Sequence, residues 1–189
     1  HFGAIGDGVV DDRPAVKAML DWVGEINVTP FYTNPTNVMP TPIKVTAPQG
    51  RIYGISSKLH MRTKHRAMTF DHMAFKAIGN AWTTDEYMFD ADGTATYIRF
   101  NKVWINCDDK SGGLKARARW RIIGCFIERV HYVGVEGAGS DVWVNECIVG
   151  QWTTQDPEYY NPARYTAVLI KTAESDMRVS GSTIRWAKT

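Results

Sequence analysis

Residues 150 to 166, GQWTTQDPEYYNPARYT, gather the groups best suited to act on a ligand. Trp152, Tyr159, Tyr160 and Tyr165 offer flat faces on which sugar rings stack, and Arg164 offers donors for hydroxyls or acidic groups. Asp156 and Glu158 suit the general acid and base of glycoside hydrolysis, which needs two carboxyls about 5 to 9.5 Å apart across the scissile bond. The second carboxyl has other sources in Glu128, Glu146, another subunit or residues beyond Thr189. The competing reading is a turn at Pro157 whose acids face water. The expected catalytic set is therefore Asp156, Glu158 and Glu128, with Trp152, Tyr159, Tyr160 and Arg164 binding substrate.

Other chemistries find little support. His60, His65 and His72 lack the spacing of a helical metal pair, and His131, at a bend before Tyr132, reads first as a surface histidine and second as a catalytic assistant. Cys107, Cys125 and Cys147 fit neither a disulfide framework nor a zinc pattern and read as buried small hydrophobes. No metal and no cofactor is expected. A net charge of +2 without a basic run excludes a nucleic-acid coat, and no stretch approaches the roughly 18 apolar residues of a membrane span.

The elements that carry this segment show in a repeat. Residues 98–106 (IRFNKVWIN), 120–128 (WRIIGCFIE) and 142–150 (VWVNECIVG) align at an offset of 22. Apolar residues fall in columns: Ile98, Trp120, Val142; Phe100, Ile122, Val144; Val103, Cys125, Cys147; Ile105, Ile127, Val149. A fourth copy, 177–185, follows 35 residues on and carries Met177, Val179, Ser182 and Ile184 in the same columns. Val133 and Val135 recur as Val168 and Ile170, so the 13 extra residues lie between Val149 and Val168.

Each copy alternates apolar positions by two, breaks once at Lys, Gly or Glu, and alternates again, which predicts two short strands joined by a bend. A 22-residue period with β-branched columns predicts a parallel β-helix, each coil stacked about 4.8 Å above the last. Two outward columns follow. Trp104, Phe126 and Ile148 make an apolar stripe of the kind that marks an interface. Arg99, Arg121 and Arg178, with Trp143 among them, repel one another unless Asp141, Glu128, an acidic glycan or a neighbouring subunit answers them.

The front end reads as a lid. Ala15, Val16, Met19, Leu20 and Val23 share one helical face, Asp11 or Asp12 caps it, Pro14 suits its first turn and Gly24 its exit. The expected organisation is an N-terminal turn and capping helix at 1–26, an irregular loop at 27–46, and coils of the β-helix over 47–189 with a loop insertion at about 150–166. The chain reads as a piece of a longer polypeptide.

FGAIGDGVVDDRPAVKAMLDW (residues 2–22) and APQGRIYGISSKLHM (47–61) resemble the N-terminal landmarks of the pectate-lyase-like superfamily, with Arg51, Ile52 and Gly54 altering the spacing around Tyr53. The resemblance implies an all-β, right-handed, single-stranded parallel β-helix with an N-terminal capping α-helix, and among its commonest hosts phage tailspikes and secreted polysaccharide-degrading enzymes. The expected function is that of a tailspike or tail fibre region in the virion that binds and depolymerises a bacterial surface polysaccharide. Its partners would be that polysaccharide, two further copies in a homotrimer, and other tail proteins, with no nucleic acid and no membrane insertion. Cleavage would be hydrolysis by paired carboxylates, or elimination at a uronic acid, where a base removes the proton next to a carboxylate that Lys or Arg neutralises. A non-enzymatic structural or adhesive tail protein and a secreted, extracellular polysaccharide lyase are the alternatives.

Overall fold

The structure, a computed structural model, describes residues 2–27, 43–62, 65–83, 85–92, 95–139, 141–150, 168–172 and 177–185. A short strand β1 (Asp7–Asp11) leads into α1 (Arg13–Asn27), and the strands that follow cycle through three all-parallel sheets. Strands β2 (Ile43–Thr46), β5 (Met68–Asp71), β8 (Arg99–Asn101), β11 (Arg121–Ile123), β14 (Val142–Asn145) and β17 (Met177–Ser180) form the first sheet. Beside it stand β3 (Ile52–Ile55), β6 (Ala74–Ala77), β9 (Trp104–Asn106), β12 (Phe126–Glu128), β15 (Ile148–Gly150) and β18 (Thr183–Arg185), with β1 at the edge of this second sheet. The third holds β4 (Leu59–Met61), β7 (Tyr87–Ala91), β10 (Gly112–Ala116), β13 (Val133–Gly137) and β16 (Val168–Thr172). Every coil visits the three in the same order, which is a parallel β-helix.

The predicted columns are ladders. Phe100, Ile122, Val144 and Val179 are successive Cα partners, as are Ile105, Ile127, Val149 and Ile184. Their side chains fill the interior: Phe100, Ile105, Ile122, Ile127, Val144 and Val149 are fully buried. Val179 and Ile184 are exposed because they belong to the last described coil, with no described strand over them. Lower down, aromatic rings replace the β-branched residues. Phe100 stacks on Phe70 at 4.7 Å and on Trp120 at 5.6 Å, one continuous file through three coils.

The bend between the first and second sheets recurs with a fixed backbone. His72, Lys102, Gly124, Glu146 and Gly181 occupy it in successive coils, and all five are left-handed, with φ between 51° and 60°. The left-handed residue turns the chain out of one ladder and into the next without interrupting either. This is the predicted break at Lys, Gly and Glu.

Helix α1 closes the front. Val16, Met19, Leu20 and Val23 are buried against the first coil, while Ala15 is half-buried at the edge of that face. Asp12 donates its backbone carbonyl to the Val16 amide, beginning the helix, and Asp11 accepts the Arg13 N–H at 3.0 Å. The Asp12 carboxylate looks the other way, accepting from Ile5, Gly6 and Gly54 N–H groups, and so ties the N-terminal turn to β3. The helix runs through Gly24 to Asn27, three residues beyond the exit read from the sequence, because Gly24 is buried and packs within the capping face. Gly54 has no alternative residue: a Cβ there would lie 2.3 Å from the Val10 carbonyl oxygen of the adjoining edge strand. The first coil opens with β2 at Ile43, ahead of residue 47.

Candidate functional site

The corner where the second sheet turns into the third holds the candidate site. Glu128 ends β12 on the outward face of its sheet, and β13 begins five residues later at Val133. The next coil repeats this geometry up to Gly150, the Cα partner of Glu128, and resumes at Val168, the partner of Val133. The segment 151–167 therefore departs one coil above Glu128 and returns one coil above Val133. Asp156, Glu158, Trp152, Tyr159, Tyr160 and Arg164 all lie outside the described residues. Among the seven expected site residues, Glu128 is the one whose surroundings are described.

Glu128 is half-buried, and burial raises its carboxyl above the usual glutamate range. The indole N–H of Trp104 donates to it and, with the charge of Arg129, pulls the other way without cancelling the effect of burial. Trp104 heads an outward column that continues through Phe126 and Ile148, so the apolar stripe runs alongside the carboxyl. An aromatic face beside a carboxyl that holds its proton above the ordinary range suits a general acid acting on a stacked sugar.

Arg129 is engaged rather than free. It binds Asp109 at 2.7 Å and also Asp108, which in turn holds Lys110. Asp108, Asp109 and Arg129 all have positive φ, so the corner is a rigid left-handed turn locked by ion pairs between coils. These aspartates are committed to cations and are poor candidates for the base.

Across the corner, on the outward face of the third sheet, lies a feature the sequence reading missed. Tyr87 donates its hydroxyl to Glu136, two coils away, and both are buried. The Tyr87 ring rests over Gly112, whose Cβ would come within 3.1 Å of it, and meets Tyr132 edge-on at 5.6 Å. Burial, and then the bond to Glu136, push the phenol well above its ordinary range. Asp90, Lys115 and Glu136 follow one another in register beside it. The outward column Asp90, Lys115, Glu136 was the available signal, since it recurs at near-constant spacing on the strands flanking the corner.

The remaining expectations fall out simply. Cys107, Cys125 and Cys147 are free and buried, and burial pushes the Cys107 thiol up to about 12, so it stays protonated. Among the described residues no group of three or more His, Cys, Asp or Glu is placed to hold a metal. Asp7, Asp11 and Asp12 spend their carboxylates on backbone amides and on Ser56. No helix among the described residues is long and apolar enough to cross a membrane. The outward Arg column is answered in part: Asp141 pairs with Arg121 at 2.9 Å.

Comparison with known proteins found no match: no family model fits the chain, and no curated protein or solved structure matches it.

Proposed function

We propose that this chain is the β-helix region of a phage tailspike or tail fibre of the pectate-lyase-like kind, and that it binds and depolymerises a bacterial surface polysaccharide. The observation that carries this reading is Glu128: a half-buried carboxyl with a raised proton affinity, bonded to an indole, one coil below the departure of the 151–167 segment. In hydrolysis Glu128 donates the proton to the leaving glycosidic oxygen, and Asp156 or Glu158 supplies the second carboxyl. The half-buried stripe of Trp104 and Phe126 gives the sugar a surface to stack on.

The test is to incubate the protein with a panel of purified bacterial capsular polysaccharides. Release of new reducing ends supports hydrolysis, and ultraviolet-absorbing unsaturated sugars support elimination. Binding without release from any member would overturn the enzymatic part. Full turnover in Asp156→Ala and Glu158→Ala would move the second carboxyl elsewhere.

A second reading, a structural or adhesive tail protein, is favoured by the front of the molecule. Phe2, Ile5, Val9, Trp22 and Ile26 are exposed around α1, and Phe2 meets Trp22 at 5.8 Å, an apolar surface of the kind used in assembly. A homotrimer would draw on this surface or on the Trp104 stripe, and sedimentation of the purified protein decides its copy number.

A further inference from the structure

The outward face of the first sheet carries a pattern that folding alone does not require. Lys44, Thr69, Arg99, Arg121, Trp143 and Arg178 are successive Cα partners, so one column holds four cations and no acid. Like charges on neighbouring strands destabilise a sheet. Two of the four are answered from outside the column, Lys44 by Asp71 at 2.5 Å and Arg121 by Asp141. Arg99 and Arg178 are exposed, and neither has a carboxylate within ion-pair distance among the described residues.

Trp143 stands among them with its ring in solvent, 37% exposed. The Arg121 guanidinium lies 4.2 Å from its centroid on one side and that of Arg178 lies 5.3 Å away. Arg121 is also fixed by the backbone carbonyls of Trp120 and Asp141, at 3.1 and 2.7 Å. The indole and its flanking guanidinium groups are thus held in place before any ligand arrives, which lowers the ordering cost of binding.

We infer that this column is a binding track for a linear, carboxylate-bearing polysaccharide, separate from the corner at Glu128. The inference rests on the proposed glycan-handling function and adds the charge of the glycan. Coils rise about 4.8 Å each, close to the length of one pyranose unit in an extended chain, so a polymer lying along the axis presents successive carboxylates to Arg99, Arg121 and Arg178 while one ring packs on Trp143. A neutral glycan would leave the exposed arginines unanswered.

Affinity electrophoresis of the full chain through gels containing alginate, a linear polyuronate, tests this, with dextran and duplex DNA gels as controls. The wild type is expected to be retarded by alginate and not by dextran, with the effect fading as salt rises. Arg99→Gln/Arg178→Gln, which alters exposed side chains and leaves the core intact, should weaken retardation about tenfold or more. Trp143→Ala should weaken it also, and Glu128→Gln should retain it while losing cleavage. Absence of retardation by alginate, unchanged retardation of the double variant, or equal retardation by DNA would each overturn the track. Failure of cleavage with every capsule, with alginate binding intact, would instead count against the enzymatic reading alone.

Discussion

Gly150 is the ladder partner of Glu128, so the 151–167 segment leaves the second sheet one coil above that carboxyl. A residue chosen for its chemistry and a segment chosen for its composition meet at one corner because the coil period places them there.

Glu128→Gln keeps the shape and the hydrogen bond from Trp104 but removes the proton that a general acid transfers. Depolymerisation is expected to fall about 10²–10⁴-fold with binding unchanged, measured as reducing-end release against glycan affinity. Equal loss of binding and turnover would make Glu128 a structural residue.

The same variant has a pH signature. The folded-state carboxyl is raised, so its favourable contribution is complete below the unfolded value of about 4.3 and is lost as pH rises through the folded value. Glu128→Gln should therefore match the wild type in thermal stability near pH 4 and exceed it near pH 7. A variant less stable at pH 7 would contradict burial as the dominant cause.

Asp71 runs the other way. Lys44 first, then the Asn101 amide at 2.5 Å and His72, hold its carboxyl well below the ordinary aspartate range. Its contribution is present above the unfolded value of about 3.9 and disappears as pH falls through the folded one. Asp71→Asn should lower Tm at pH 7 by about 2–4 °C, since Lys44 is exposed and the pair is partly screened. The gap should narrow in acid, as two thermal melts would show.

Lys102 occupies the left-handed bend that Gly124 fills one coil later. Lys102→Gly removes a side-chain clash worth about 1–2 kcal/mol and adds about 0.5–1 kcal/mol of backbone entropy, for a modest net gain in Tm. Gly124→Ala should lose stability by the same argument, its nearest neighbour being the Lys102 side chain at 3.4 Å. Both are read from denaturant midpoints.

Phe100, fully buried between Phe70 and Trp120, is the centre of the aromatic file. Phe100→Ala should cost about 3–5 kcal/mol, with the loss seen as a lower midpoint in urea. A cost below 1 kcal/mol would mean that the interior is not packed as described.

The upper coils were legible because their period is constant and their columns are β-branched. The lower ones were not: Phe70 precedes Phe100 by 30 residues and Val45 precedes Phe70 by 25, so no single offset aligns them. Met68, Phe70, Phe75 and Phe89 also fill the interior there with residues that do not announce a strand. The bond from Tyr87 to Glu136 spans 49 residues and crosses two coils diagonally, and no linear pattern encodes it. Glu128 was visible as a carboxyl, yet its burial beside Trp104 depends on ladder neighbours 22 residues away. The capping aspartates were legible as a cluster, whereas which one faced the helix depended on where Gly54 arrived.

Val144 still partners Val179, and Val149 still partners Ile184, although the intervening coil is 13 residues longer than those before it. Lengthening one corner thus leaves the scaffold's architecture untouched. Such a frame allows natural variation to exchange the exposed segment, and with it the recognised molecule, while the protein goes on assembling as before.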